Sequence, residues 1–298
     1  MNKRKATKNI IAASLSIGIL GSGLASLTNQ DNALAQVTET KEVKKVHFTS
    51  SNTESNKINI QNTMLNAIDY YSTVSGSLEY YSKRGGFNLL VTYQNDLSEK
   101  PKSYEKTLYN QKTNVKNQAM PNDEYEIKTY DGDTLTVYKS GSKERGTASN
   151  VTTKKIAPMP TDTRNLFKGT TMKERIGTID GEKLYNFRFE PSLMSGTVKT
   201  SLLPEDIAMG FLEDTTKWDI KGEEKIAGVN TVAIEGTLNA NYTERFNAKN
   251  FKINVDPHTG IMLQMEVIND AGIMVEALYT KDIEIDKTLN QKLFSFAK

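Results

Sequence analysis

Hydrophobic and polar residues alternate with a period of two through much of the C-terminal half of the chain. Three such runs cover residues 251–255, 261–267 and 273–279. The segments between them, 256–260 and 269–272, contain the Asp, Asn, Pro and Gly residues that favour turns. Period-two alternation points every second side chain to the same face of a strand. The pattern therefore predicts an antiparallel meander in which each strand buries one face.

The N-terminal half shows the same alternation in shorter runs. Residues 87–93 alternate in this way, and a second pair of alternating runs flanks residues 130–133, Tyr-Asp-Gly-Asp, a strong hairpin signal. The polar segment 94–121 fits either solvent-exposed strands or a long excursion between strands. Residues 140–162 are rich in Gly, Ser and Pro near their ends and are predicted to form a loop.

Two segments carry apolar residues at helical spacing instead. In residues 59–72 the apolar positions recur every three or four residues, and Asn59 is a suitable N-cap. Residues 204–212 begin with Pro204 and two acidic residues, a composition that favours the first turn of a helix. Because there is no fixed-period repeat and no clear internal boundary, residues 59–298 are interpreted as a single domain.

The N-terminus has the organisation of a secretory signal peptide, assigned to residues 1–35. Lys and Arg within residues 3–8 precede the uncharged residues 10–27, and residues 33–35, Ala-Leu-Ala, match the small-x-small cleavage pattern. An uncleaved membrane anchor is the weaker alternative, because the apolar segment is short and contains many Ser and Gly. Residues 36–58 are polar and are predicted to be a flexible leader. The mature chain is expected to be soluble and exported, either extracellular or in the cell envelope.

Composition excludes several kinds of chemistry. The 298 residues contain no Cys and only 2 His, which excludes disulfides, thiolate metal sites and Cys nucleophiles. The formal charge of +2 (38 Lys+Arg against 36 Asp+Glu) becomes −1 (34 against 35) without the four cations and one acid of residues 1–35. A near-neutral chain lacks the basic character that general nucleic-acid binding needs. We expect no metal, no cofactor and no nucleic-acid partner.

One short motif resembles a catalytic signature but lacks its context. Residues 140–143 read Ser-Gly-Ser-Lys and satisfy the S-x-x-K pattern of penicillin-recognising enzymes. That chemistry needs the Ser at a helix start and the partner motifs S-D-N and K-T-G, which the sequence lacks. The acidic pairs at 213–214 and 223–224 lie beside Lys at the ends of predicted elements, where solvation is the simpler interpretation. The chain is therefore expected to be non-enzymatic, without catalytic residues.

The turn and strand motifs of the C-terminal third resemble those of LolA/RseB-like envelope proteins, the lipoprotein-sorting and MucB/RseB N-terminal-like group. Residues 218–231 are similar to the family's W-x-I-x-G-x-E-x-V-x-G strand-turn-strand unit. Residues 251–272 resemble its D-x-x-T-G and D-x-x-G hairpins, and residues 283–294 resemble its last strand and terminal Leu-Phe. In the N-terminal half, residues 130–138 are similar to its Asp-Gly hairpin. Residues 139–200 match least, and we expect family-specific contacts there.

The resemblance implies an α+β fold in which a strongly curved antiparallel sheet, an incomplete β-barrel, wraps over a few short helices. It also implies an apolar cavity between sheet and helices that binds a hydrophobic ligand or a lipidated polypeptide, as in a carrier or a sensor. The candidate cavity residues are Tyr71, Leu89, Val91, Met209, Phe211, Trp218, Met262, Met265 and Met274.

Other interpretations remain open beside this one. Ordinary core packing is the alternative role for each candidate methionine, although thioethers also suit an adaptable cavity lining. The alternative function is a protein-interaction module that regulates a membrane-anchored partner, such as an anti-sigma factor. An envelope hydrolase would require a polar cluster inside the cavity.

Overall fold

The computed structural model describes residues 48–110, 124–143 and 146–296. The predicted signal peptide, residues 1–35, lies outside the described residues, as does the first part of the predicted leader. Within the described ranges the chain forms an 11-stranded antiparallel sheet, a two-stranded hairpin and several short helices. This α+β architecture, with a curved and unclosed sheet, confirms the predicted fold class.

Two meanders make up the large sheet. The strands in chain order are β1 (Thr73–Ser82), β2 (Phe87–Asp96), β3 (Lys102–Asn110), β4 (Tyr125–Tyr130), β5 (Thr134–Lys139), β6 (Asn150–Lys155), β7 (Ile176–Ile179), β8 (Glu182–Tyr185), β9 (Trp218–Ile226), β10 (Val229–Thr237), β11 (Asn250–Val255), β12 (Met262–Ile268) and β13 (Met274–Ile285). Pairing of β1 with β13 joins the meander β1–β6 to the meander β9–β13. Strands β6 and β9 are the edges, and β7 pairs with β8 in a separate hairpin.

A row of apolar side chains crosses the paired strands on one face of the sheet. Ladder by ladder it consists of Ile220, Ile234, Ile253, Met265, Leu278, Tyr80 and Leu89. Each of these side chains is at most 5 % exposed. We call this set the apolar row and the face that carries it the inner face. Ile253, Met265 and Leu89 follow the period-two alternation of the sequence. Leu278 does not: it lies between Ala277 and Tyr279, the apolar positions of the predicted run 273–279, which point to the opposite face.

The residues of two hairpin turns explain how the chain reverses direction there. At the β4–β5 turn the Asp131 carboxylate accepts hydrogen bonds from the backbone N–H groups of Asp133 (3.0 Å) and Thr134 (2.8 Å), as predicted for a hairpin here. At the β9–β10 turn, Ala227 and Gly228 both have positive φ angles (47° and 84°), as a type I′ turn requires. Its right-handed twist suits the flanking antiparallel strands.

Six α-helices accompany the sheet within the described ranges. They are α1 (Glu54–Leu65), α2 (Thr161–Asn165), α3 (Met172–Arg175), α4 (Gly196–Leu202), α5 (Glu205–Gly210) and α6 (Ala240–Phe246). Helix α5 agrees with the helix predicted after Pro204. None of the helices in the described ranges offers the long apolar run that a bilayer crossing requires.

Helix α1 begins earlier than the sequence pattern predicts, because its first turn is polar. Thr53 caps it by accepting a hydrogen bond from the backbone N–H of Asn56 (3.3 Å), so Asn59 lies inside the helix. The buried Lys57 donates hydrogen bonds from Nζ to the carbonyl oxygens of Trp218 (2.5 Å) and Thr215 (2.8 Å). The described part of the predicted leader therefore packs against the domain.

Helices α1, α4 and α5 cover part of the inner face. Ser201 in α4 donates a hydrogen bond from Oγ to the carbonyl oxygen of Met262 in β12 (2.8 Å). At the β11–β12 turn, a Cβ on Gly260 would lie 2.5 Å from the carbonyl oxygen of Thr63 in α1, and Gly260 also has a φ of +74°. Only glycine fits both the close approach and this left-handed backbone.

Two predictions for the polar segments are revised by the structure. Residues 140–162, predicted as a loop, contain the edge strand β6, whose side chains are all exposed. With no apolar face, β6 carries no period-two signal in the sequence. The polar segment 94–121 contains β3, but Ser103 and Glu105 in that strand are buried rather than solvent-exposed. Residues 111–121 of this segment lie outside the described residues.

Candidate functional site

Most of the predicted cavity residues lie together in the buried core. Tyr71, Leu89, Val91, Met209, Phe211, Trp218, Met262 and Met265 all belong to one hydrophobic cluster. Met274 does not: 37 % of its surface is exposed, and its Sδ accepts a hydrogen bond from the Tyr279 hydroxyl (3.1 Å). Its place explains the difference, because Met274 is the first residue of β13, directly after the turn that ends β12.

Side chains of the two layers meet closely around these residues. Tyr71 donates a hydrogen bond from its hydroxyl to the carbonyl oxygen of Leu202 in α4 (3.0 Å), and Trp218 Nε1 donates to the carbonyl oxygen of Leu212 (3.0 Å). A Cβ added to Gly236 would lie 2.5 Å from the Trp218 Cβ. These predicted residues are therefore packed core side chains.

An open cavity of about 400 Å³ lies at one end of the sheet, beside α6. We call it the rim cavity. It is formed where the β1–β2 turn, the end of α6 and the β12–β13 turn come together, and its lining residues are Lys83, Arg84, Glu244, Arg245, Phe246, Asn247, Asn269, Val275 and Glu276. None of the predicted candidates is in this lining.

The apolar side of the rim cavity continues into the core through aromatic rings. Phe246 lines the cavity and packs edge-on against Phe211, with ring centroids 6.1 Å apart. Tyr242 also meets Phe211 edge-on at 5.1 Å, and Phe211 contacts Phe251 at 5.2 Å. The aromatic path thus joins the cavity to Phe211, a predicted residue that is 2 % exposed.

A glycine permits this aromatic contact. A Cβ on Gly210 would lie within 2.5 Å of the Tyr242 ring, so α6 sits close to the C-terminal end of α5. Asn239 caps α6 by accepting a hydrogen bond from the Tyr242 N–H (3.1 Å), and its Nδ2 donates to the Gly210 carbonyl oxygen (3.2 Å). Every residue of α6 remains at least partly exposed.

The rim of the cavity carries more positive than negative side chains. Lys83, Arg84 and Arg245 supply the cations, and Glu244 and Glu276 supply the acids. Burial raises the pKa of Glu276 to about 7, so this carboxyl group is partly protonated near neutral pH. Near neutral pH the three cationic side chains therefore face fewer than two ionised carboxylates.

Neither the S-x-x-K motif nor a cluster of metal ligands forms a catalytic site in the described residues. Residues 140–143 lie in a loop after β5, where Ser140 Oγ accepts a hydrogen bond from the backbone N–H of Tyr125 (2.7 Å). That position lacks the helix start that acylation chemistry of this type uses. In the ranges that the structure describes, no group of three or more His, Asp or Glu side chains could hold a metal ion.

The rim cavity was not predicted from the sequence, although part of its signal was present. Asn239 precedes Tyr242 and Phe246, which have the i, i+4 spacing of one helix face. That spacing favours a short helix between β10 and β11. The meeting of this helix with the β1–β2 turn depends on the pairing of β1 with β13, which no local pattern reveals.

Comparisons with known proteins find similar solved structures. Neither the protein-family models nor the curated proteins match this sequence. The MucA/MucB complex of Pseudomonas aeruginosa is similar, with a TM-score of 0.40 and 13 % identity over 81 % of this chain and 61 % of that chain. The lipoprotein LppX of Mycobacterium tuberculosis gives 0.37 and 9 %, covering 80 % and 99 %. LprF of Mycobacterium bovis gives 0.39 and 10 %, covering 80 % and 97 %.

Neither a ligand nor a partner of this chain follows from these similarities. The similarity covers less than two thirds of the MucB chain. The described residues form an unclosed antiparallel sheet accompanied by a few short helices. This architecture agrees with the LolA/RseB-like fold that the sequence motifs imply.

Proposed function

We propose that the mature chain is an exported, non-enzymatic envelope protein that binds a hydrophobic ligand or the acyl chain of a lipidated polypeptide. The observation that carries this proposal is the rim cavity, whose aromatic side leads from Phe246 to Phe211 in the core. Its volume, about 400 Å³, lies in the range of pockets that hold small ligands. A carrier or a sensor would use the same binding step.

The chemistry of the cavity suits an amphipathic ligand. An acyl chain would lie along Phe246 and Val275, and an anionic head group would lie near Lys83, Arg84 and Arg245. Removal of apolar surface from water would supply most of the binding free energy.

Deeper entry of the ligand would require the core to adapt. Met209 in α5 and Met265 in β12 are buried in the same cluster as Phe211. Unbranched thioether side chains change rotamer at low cost and fill irregular gaps. We propose that these predicted residues line the inner part of the site when the ligand is bound.

The test is a titration of the chain lacking residues 1–35 with a dansyl-labelled undecanoic acid, followed by competition with unlabelled fatty acid. We expect saturable binding with a Kd on the order of 1 μM. Phe246→Ala should weaken binding about tenfold, because an aromatic wall of the cavity is lost. Arg84→Gln should weaken it less, and its effect should fade at high salt.

Ile179→Ala is the matched control, since Ile179 is 54 % exposed in the β7–β8 hairpin. It should bind the probe as the parent chain does. Equal binding by the Phe246 and Ile179 variants would remove the rim cavity from the proposal. Failure of the parent chain to bind any fatty acid or lipopeptide would overturn the proposal itself.

A second candidate function is regulation of a membrane-anchored protein, and a half-exposed aromatic group favours it. Tyr138 lies 5.7 Å from Tyr125 across the β4–β5 hairpin and stacks on Phe296 at 5.3 Å. Such rings are common at protein interfaces. A pull-down from membranes with the mature chain should enrich one integral protein, and Tyr138→Ser should abolish that enrichment. A carrier would enrich no single membrane protein.

A further inference from the structure

A second cavity, of about 230 Å³, lies between α2 and the short 3₁₀ turn that follows α1. We call it the basic cavity. Its lining residues are Ile68, Asp69, Leu97, Thr161, Arg164, Asn165, Lys168, Arg188 and Pro191, none of which lines the rim cavity. Most of them fall within residues 139–200, the segment that matches the LolA/RseB-like motifs least.

The charged side chains of the basic cavity do not balance. Asp69 is its one acid, and that carboxylate is already paired with the Arg188 guanidinium, both side chains being almost fully buried. Arg164 donates hydrogen bonds to the uncharged carbonyl oxygens of Leu97 and Ser98. Lys168 has no ion pair among the described residues. Two positive charges are therefore left without a carboxylate in the lining.

Arg188 adds an unused hydrogen-bond donor to this excess of charge. The residue is 4 % exposed, its Nη1 donates to Asp69, and its Nη2 donates to the Arg164 carbonyl oxygen (3.4 Å). Its Nε has no hydrogen-bond acceptor within the described part of the chain. A buried donor without an acceptor is costly, and native structures seldom leave one unless water or a ligand completes it.

The electrostatic environment of Arg164 agrees with a crowded positive site. Burial lowers the pKa of Arg164, and the positive charge of Arg188 lowers it further. Asp69, Glu190 and Asp96 oppose this effect without cancelling it. The Glu190 carboxylate is itself engaged by backbone N–H groups of its own loop.

From this cavity, its charge and its free donor, we propose that the basic cavity is a binding site for a phosphate group. Arg164, Lys168 and Arg188 line one space and can donate to several oxygens of one tetrahedral anion. A phosphate monoester carries about −1.5 to −2 charges at pH 7, which matches the uncompensated charge of the lining. The volume is several times the roughly 30 Å³ that one water occupies in the liquid, so the group fits with some of its waters.

The proposal is independent of the hydrophobic ligand. It is tested by equilibrium dialysis of the chain lacking residues 1–35 against radiolabelled inorganic phosphate, in chloride buffers of matched ionic strength. We expect saturable binding at one site. Lys168→Gln and Arg164→Gln should each weaken it about tenfold, the loss expected for one charge-assisted hydrogen bond.

Lys173→Gln is the matched control, because it removes the same charge from an exposed residue of α3, close in sequence to the basic cavity. It should leave phosphate binding unchanged, and so should Phe246→Ala in the rim cavity. If Lys173→Gln weakened phosphate binding as much as Lys168→Gln, the effect would be one of overall charge, and the proposed site would be overturned. Arg188 is left unaltered, because its buried pair with Asp69 supports the fold.

A second arm identifies the source of the phosphate. Vesicles of phosphatidylcholine with and without phosphatidic acid are sedimented with the parent chain and with Lys168→Gln. Binding to phosphatidic acid that requires Lys168, without binding of inorganic phosphate, assigns the site to a lipid head group. Binding of inorganic phosphate alone assigns it to a soluble phosphate or phosphate ester. The absence of both overturns the proposal.

Discussion

The inner face of the sheet is covered in two different ways. Along the apolar row, side chains such as Ile253 and Leu278 belong to the apolar cluster that includes residues of the helices. On β2–β4, in contrast, the inner face presents Asn95, Ser103, Glu105 and Lys128, which we call the polar patch. It belongs to the same sheet and faces the chain segment that follows β8.

The polar patch holds the loop before α4 by directed contacts. Ser103 Oγ donates to the Ser192 carbonyl oxygen (2.5 Å), and the Ser195 N–H donates to the Glu105 carboxylate (2.6 Å). Lys128 donates to the Leu193 carbonyl oxygen. Apolar contacts tolerate small shifts, whereas each of these bonds requires one partner in one place. The apolar row therefore supplies stability, and the polar patch fixes the position of the covering loop.

The largest expected effect concerns the buried ion pair that joins α3 to α5. Arg175 is fully buried and donates to the Glu205 carboxylate (2.6 Å) and to the carbonyl oxygen of Leu65 (3.1 Å). Arg175→Ala should lower the free energy of unfolding by about 4 kcal/mol, because it leaves a buried carboxylate without its cation. Urea denaturation measures this loss.

The matched surface variant is Lys139→Ala, which breaks a partly exposed pair with Glu126 (3.5 Å). It should cost no more than about 1 kcal/mol. If the Arg175 and Lys139 variants lost similar stability, the buried ion pair would contribute no more to stability than a surface pair.

The next test concerns the apolar row. Ile253 is fully buried, so Ile253→Ala should cost about 3 kcal/mol through lost burial and the cavity left behind. Val151 in β6 is 40 % exposed, and Val151→Ala should change stability by less than about 0.5 kcal/mol. Thermal unfolding of both variants checks the contrast. A large effect at Val151 would show that β6 is covered in solution.

A third test uses pH. Burial raises the pKa of Glu276 to about 7 from an ordinary value of 4.5, so the folded chain binds this proton more tightly than the unfolded chain. The stabilisation is fully present below pH 4.5 and is lost as the pH rises through 7, with a slope of at most about 1.4 kcal/mol per pH unit.

Glu276→Gln should flatten this pH dependence, as followed by urea midpoints between pH 4.5 and 8. Glu235→Gln is the control, because Glu235 is exposed on β10 and should leave the slope unchanged. A slope that survives Glu276→Gln would place the titrating group elsewhere.

The smallest expected effect belongs to one bond of the polar patch. Ser103→Ala removes the hydrogen bond to the Ser192 carbonyl oxygen and should cost about 1 kcal/mol. Its diagnostic sign is local: hydrogen exchange should accelerate in residues 192–195 and remain unchanged in β11. Uniform acceleration would mean that the polar patch contributes to global stability as the apolar row does.

The sequence predicts the two inner surfaces unequally. Alternation correctly places Met265 and Leu89 on a buried face. For β13 it selects Ala277 and Tyr279, whereas Leu278 is the residue that joins the apolar row. Ser103 and Glu105 give no such signal, since a polar side chain in a strand is normally taken to face water. Their burial depends on partners about 90 residues away in the chain.

The candidate site was also predictable only in part, because contacts between distant parts of the chain leave no local pattern in the sequence. Phe211 and Trp218 could be recognised as large apolar residues near helix and strand ends, and both lie in the core. The rim cavity combines Arg84, Arg245 and Glu276, which come together only when β1 pairs with β13. Met274 is partly exposed, although the sequence interpretation placed it in the cavity. Period-two alternation does not specify where a strand leaves the part of the sheet that the helices cover.

Edge strand β6 has a consequence for how the protein behaves at high concentration. An unclosed sheet offers backbone N–H and C=O groups at each edge, to which a strand from another molecule can add. Residues 150–155, Asn-Val-Thr-Thr-Lys-Lys, are exposed on both faces and include two adjacent lysines. A second copy added there would bring like charges together and bury little apolar surface. The composition of β6 therefore disfavours strand addition at this edge of the sheet.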